Sequence, residues 1–119
     1  MIKYHKSKNN NLIAELIDAN FKINEVQDIL DLFGELIPNN CNRLIIIENN
    51  LHDNFFNLKT RLAGDILQKF SNYRISLAII GDFSKYKSKA LQNFIRECNK
   101  GTQVFFLSNI EEAINRLAK

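Results

Sequence analysis

The side chains in this chain that could do chemistry gather just beyond two apolar runs. Leu44-Ile45-Ile46-Ile47 runs into Glu48, and Leu77-Ala78-Ile79-Ile80 runs into Gly81, Asp82 and Ser84. Paired carboxylates can move a proton at a substrate or hold Mg²⁺. Cations follow both: Lys85, Lys87 and Lys89 after Ser84, and Lys59 and Arg61 after Asp53. Such a group could hold a small anionic ligand or an acidic protein loop. The plainer reading is that Asp53, Ser88 and Asn109 cap helices and that the lysines are solvated.

Other chemistries lack their residues. The two histidines, His5 and His52, have no cysteine or second histidine at ligand spacing, so no zinc site is expected. His52 beside Asp53 reads as a base with an orienting carboxylate only on paper, because adjacent loop residues rarely share that geometry. No Gly-x-Gly-x-x-Gly or Walker pattern occurs. A receiver-type acidic cluster needs a lysine at the end of the last strand, and Phe105-Phe106-Leu107-Ser108 supplies none. The nearest aromatic-basic clusters, Tyr73-Arg74 and Lys85-Tyr86-Lys87, are too short to predict nucleic-acid binding. Catalytic residues, cofactor and metal are therefore all expected to be absent.

Elements must position these residues. A chain of 119 residues with 45% apolar content suits one α/β domain over 1–119. The runs at 43–49 and 75–80 are apolar almost throughout, as strands of a parallel sheet buried on both faces are. Gln103 to Leu107 adds another strand. Residues 1–7 and 11–18 read as an antiparallel pair turning at Lys8-Asn9-Asn10-Asn11.

Helices are predicted at 25–36, with Asn24 as cap, and at 54–70, with Asp53 as cap. Two more are predicted at 88–98 and 110–117, the latter capped by Asn109. Gly64 within the second helix suggests close approach of a neighbouring backbone, and Gly101 reads as a helix stop. The order is β-β-α-β-α-β-α-β-α: a mostly parallel sheet of about five strands with an N-terminal antiparallel pair and about four helices.

The charge is uneven. Residues 59–100 hold nine Lys/Arg against three Asp/Glu, a balance of +6. Residues 1–58 hold five against eight, a balance of −3. The reading preferred is solvated faces whose opposite signs help self-association. Cys41 falls in a loop and Cys98 on the apolar stripe of its helix, so no disulfide is expected. No apolar run reaches membrane-spanning length and the first residues show no secretory signal, so a cytoplasmic location is expected.

The blocks VQDILDL, FFNLKTRLAGDILQKFSNYR, LAIIGDFS and SKALQNFIREC resemble the bacterial family catalogued as domain of unknown function 4180, over roughly Asn11 to Leu117. That resemblance implies no activity, since the family has none assigned. The element order is also similar, more distantly, to STAS domains, the anti-sigma-factor-antagonist class. That class places a phosphorylated serine at the start of the helix after its central strand. The matching place here is Asp53-Asn54-Phe55-Phe56, and the first hydroxyl after Asp53 is Thr60. The likeness thus implies a partner-binding surface without that phospho-switch.

Two functions follow as expectations. One is a non-enzymatic, STAS-like interaction or regulatory module using Asp53, Lys59 and Arg61 with the loop Gly81–Lys89. The other is an anionic-ligand domain or minor enzyme using Glu48, Asp82, Ser84 and Lys85. The partner is expected to be an unidentified protein or a second copy, with self-association through an exposed edge strand at 1–7. Neither nucleic acid nor membrane is expected.

Overall fold

The computed structural model describes all residues from 1 to 119. Five strands form one sheet: β1 (Ile2–Lys6), β2 (Leu12–Leu16), β3 (Arg43–Ile47), β4 (Ser76–Ile80) and β5 (Val104–Leu107). Their spatial order is β1-β2-β3-β4-β5. β1 and β2 pair antiparallel, and every later pair is parallel. The turn between the first two places Asn10 at φ 63°, a left-handed position that asparagine tolerates.

Four helices complete the fold: α1 (Val26–Leu36), α2 (Leu62–Tyr73), α3 (Lys89–Lys100) and α4 (Ile110–Leu117). Because each crossover steps to the next strand in the same direction, a common hand puts α1, α2 and α3 on the same face. The core agrees. Ile29 and Phe33 of α1, Ala63, Ile66 and Phe70 of α2, and Leu91 and Ile95 of α3 share one cluster with Leu44, Ile46, Leu77, Ile79 and Phe106 of the sheet. Alternate strand residues Ile13, Ile45, Ala78, Phe105 and Leu107 face the other way, against Ala113 and Leu117 of α4. Phe33 meets Phe70 edge-on with ring centroids 4.9 Å apart, locking α1 to α2.

Two expected caps hold. Ser88 accepts a hydrogen bond from the Leu91 N–H, and Asn109 from the Glu112 N–H. Gly101 ends α3, at φ −83° and so without the left-handed turn glycine often supplies. Other expectations are corrected. The cap of α1 is Glu25 and not Asn24, because Asp28 reaches back to accept from both backbone N–H groups. Gly64 has no close neighbour, since a Cβ there would meet nothing within 4 Å.

The helix predicted from Asn54 begins only at Leu62. Residues Asp53–Phe56 and Leu58–Thr60 form two 3₁₀ turns instead. Side chains here take the backbone groups that a helix would use. His52 Nδ1 accepts from Asn54 N, displacing Asp53 as cap, and Asn57 Oδ1 accepts from Lys59 N. The Thr60 hydroxyl contacts both Asn54 O and Asn57 O, at 2.6 and 2.9 Å. The adjacent Phe55 and Phe56 are both buried, which anchors the segment to the core.

Candidate functional site

The carboxyl ends of β3 and β4 lie side by side, and each opens into a loop carrying predicted site residues. After β3, residues Glu48–Asn50 make a tight 3₁₀ turn. Asn50 is fully buried within it and was missed by sequence reasoning. Its side-chain oxygen accepts from Ile47 N at 3.0 Å, and its amide donates to Asp18 O and Phe21 O at 2.9 and 3.0 Å. A single parallel bridge between Ile23 and Leu51 sits beside it. Asn50 therefore ties the loop after β2 to the end of β3.

Glu48 is 15% exposed at its side chain and lies across Gly81. A Cβ on Gly81 would sit 2.6 Å from Glu48 Oε1 and 2.7 Å from Glu48 Cβ. Glycine is thus needed for space, as its φ is not positive. The carboxylate takes two partners from the loop after β4. Lys85 Nζ is 2.7 Å away, and the Tyr86 hydroxyl donates to Oε2. The Tyr86 ring stacks on Phe56, with centroids 4.7 Å apart and planes 14° apart. Burial, together with the hydrogen bond to Glu48 and its charge, pushes the Tyr86 phenol above its usual value of 10.0.

A phenol whose native pKa is raised holds its proton more firmly in the folded state than in the unfolded one. The contribution of this group to stability is then fully present below about pH 9 and is lost as pH rises from the unfolded tyrosine value near 10 toward the higher folded one. Tyr86→Phe is expected to flatten part of that alkaline slope and to lower stability by about 1 kcal/mol at pH 7. Urea unfolding at pH 7 and pH 10 reads both quantities. An unchanged alkaline slope would show that the phenol is not held by Glu48.

Glu48 and Asp82 follow adjacent strand ends and line different clefts. Glu48 lines a cleft of about 300 Å³ with Lys22, Asn49, Leu51, Asp53, Phe56, Lys85 and Tyr86. Asp82 lines a separate one of about 560 Å³ with Phe83, Asn99, Ser108 and Glu112. Asp82 accepts from the Ser84 hydroxyl at 2.6 Å and from the Ser84 N–H at 3.1 Å. Those bonds hold its carboxyl below the usual range. The Ser84 hydroxyl is therefore engaged by Asp82.

Both lysines of the smaller cleft are engaged within the chain, Lys85 by Glu48 and Lys22 by the oxygens of Asn49. No group of three or more His, Cys, Asp or Glu residues is placed to hold a metal ion. His5 bonds Glu15 at 2.7 Å, on the far side of the sheet from α1. Cys41 and Cys98 are free thiols, and burial pushes Cys98 up and away from thiolate chemistry.

What the strand ends do bring together is surface. The stack of Phe56 on Tyr86 joins the double 3₁₀ segment to the loop after β4. Lys59 and Arg61 follow the first of these segments and Lys87 and Lys89 the second, and all four are exposed. None has a carboxylate within salt-bridge distance, whereas Lys85 does. Arg61 adopts φ 66° between the second 3₁₀ turn and α2, a left-handed backbone uncommon for arginine.

Residues 8–117 match the family model described as Domain of unknown function (DUF4180). No curated protein matches the chain, and no solved structure does. No helix is long and apolar enough to cross a membrane.

Proposed function

For a chain that belongs to the DUF4180 family, whose description names no activity, we propose a non-enzymatic cytoplasmic module that works by binding an acidic protein surface. The observation that carries this reading is the joined patch at the strand ends. Two segments distant in sequence are clamped together by the Phe56–Tyr86 stack and display Lys59, Arg61, Lys87 and Lys89 without partners. Unpaired exposed cations on a firmly held scaffold favour encounter with negative charge. The STAS likeness supports the reading only through the order of elements. Asp53-Asn54-Phe55-Phe56 offers no hydroxyl for a phospho-switch, so the surface is read as constitutive.

The alternative of an anionic ligand or minor enzyme at Glu48, Asp82, Ser84 and Lys85 has less support. Its charged groups already satisfy one another.

Lys59→Glu/Arg61→Glu tests the proposal. Both side chains are exposed and unpaired, so stability should change by less than about 0.5 kcal/mol. Proteins captured by the wild type and lost from the folded variant would identify the partner class. Identical capture by both proteins, or no capture by either, would remove this surface from consideration.

A further inference from the structure

The two edges of the sheet are treated differently. On the β5 edge, the Asn99 side chain acts as a substitute strand. Its oxygen accepts from Phe106 N at 2.7 Å and its amide donates to Phe106 O at 3.1 Å. On the β1 edge nothing plays that part. Ile17 N–H donates to Met1 O and Ser7 N–H to Asn11 O, so the odd-numbered residues of β1 bond inward to β2. The antiparallel alternation then turns the N–H and C=O of Ile2, Tyr4 and Lys6 outward. No hydrogen bond within the chain takes up those groups.

Charge discriminates among possible occupants. Lys3 and Lys6 are exposed and have no carboxylate partner. Glu15, which faces Lys3 across the β1–β2 register, is held by His5. A second copy would bring basic strand against basic strand, and lysines on an edge are a known deterrent to such pairing. An acidic strand meets the opposite condition. Residues 3 and 6 lie on opposite faces of β1, so a partner with carboxylates three residues apart reaches both.

We propose that β1 is a docking edge for an extended acidic segment of a partner protein, which adds to the sheet as a further strand. Main-chain bonds to Ile2, Tyr4 and Lys6 would hold it, and Lys3 and Lys6 would select its charge. This edge is distinct from the patch at the carboxyl ends of β3 and β4, and the two can be tested apart.

The probe is a capped peptide repeating threonine, valine and glutamate, with a control that has lysine in place of glutamate. Fluorescence anisotropy should show the acidic peptide binding at least tenfold tighter, and Lys3→Glu/Lys6→Glu should remove that preference. Amide exchange of the wild type should slow at Ile2, Tyr4 and Lys6 when the acidic peptide is present. N-methylation of the peptide at alternate residues leaves the protein intact and should abolish binding in one register only. Equal binding of the two peptides would overturn the proposal. So would protection that falls at 59–89 instead of at β1. A chain that light scattering finds dimeric, with the Ile2, Tyr4 and Lys6 amides already protected, would assign the edge to a second copy and overturn it too.

Discussion

Replacing Asn50 with alanine is expected to lower the unfolding free energy by about 3–5 kcal/mol. Asn50 is fully buried and satisfies three backbone groups: Ile47 N–H, Asp18 C=O and Phe21 C=O. Each group stranded away from water costs about 1–3 kcal/mol. Urea denaturation is the measurement, and a midpoint lower by about 2 M follows from ordinary denaturant sensitivity for a domain of this size. A shift under about 0.5 M would mean that water replaces the amide at little cost, and that the residue is not a hub.

Asn50→Asp sharpens the test. Its shape is unchanged, but an ionised carboxylate offers nothing to the two carbonyls. Burial raises the introduced carboxyl above its unfolded value near 4, so the folded state favours the protonated form. The variant's deficit should therefore be smallest near pH 4 and grow as pH rises toward 7. A pH-independent deficit would contradict the buried contact with carbonyl oxygens.

The second large effect is expected at Gly81. An alanine Cβ would lie 2.7 Å from Glu48 Cβ, an atom fixed to the backbone, and 3.2 Å from Phe83 Cζ. Overpacking of this kind costs about 1–3 kcal/mol, and the upper half of that range is expected because Glu48 Cβ, unlike the carboxylate beyond it, cannot swing aside. Backbone conformation adds nothing, since no glycine in the chain has positive φ. Glu48→Gly should relieve the clash. The penalty of Gly81→Ala measured in that background should be smaller by more than about 1 kcal/mol, a coupling that thermal or urea unfolding of the four proteins resolves. Additive losses would show that Glu48 is not what Gly81 makes room for.

These two residues also show what the sequence conceals. The parallel sheet was legible because Leu44-Ile45-Ile46-Ile47 and Leu77-Ala78-Ile79-Ile80 are apolar on both faces. The caps Ser88 and Asn109 were legible because capping is local. The break between Phe56 and Leu62 was not. Phe55, Phe56, Leu58 and Leu62 suit a helical stripe by count, and only the competing bonds from His52, Asn57 and Thr60 divert the backbone. Asn50 sits in a polar triplet that looks like any turn, and two of its three partners lie 29 and 32 residues away. Glu48 and Tyr86 are separated by 38 residues, so their bond had no local signature. The fold follows from periodicity, which sequence displays. The site depends on side chains meeting across crossovers, which it does not.

Asn99 has a consequence beyond satisfying Phe106. A β-sheet with two receptive edges can grow without limit, each added molecule leaving a fresh edge for the next, as in a fibre. The Asn99 amide takes up the outward groups of Phe106 on β5 and so obstructs that growth. A strand that joins at β1 meets a molecule whose opposite edge is interrupted at Phe106, which disfavours a further addition there. An open edge at β1 is thus set against a blunted one at β5, which works against polymerisation.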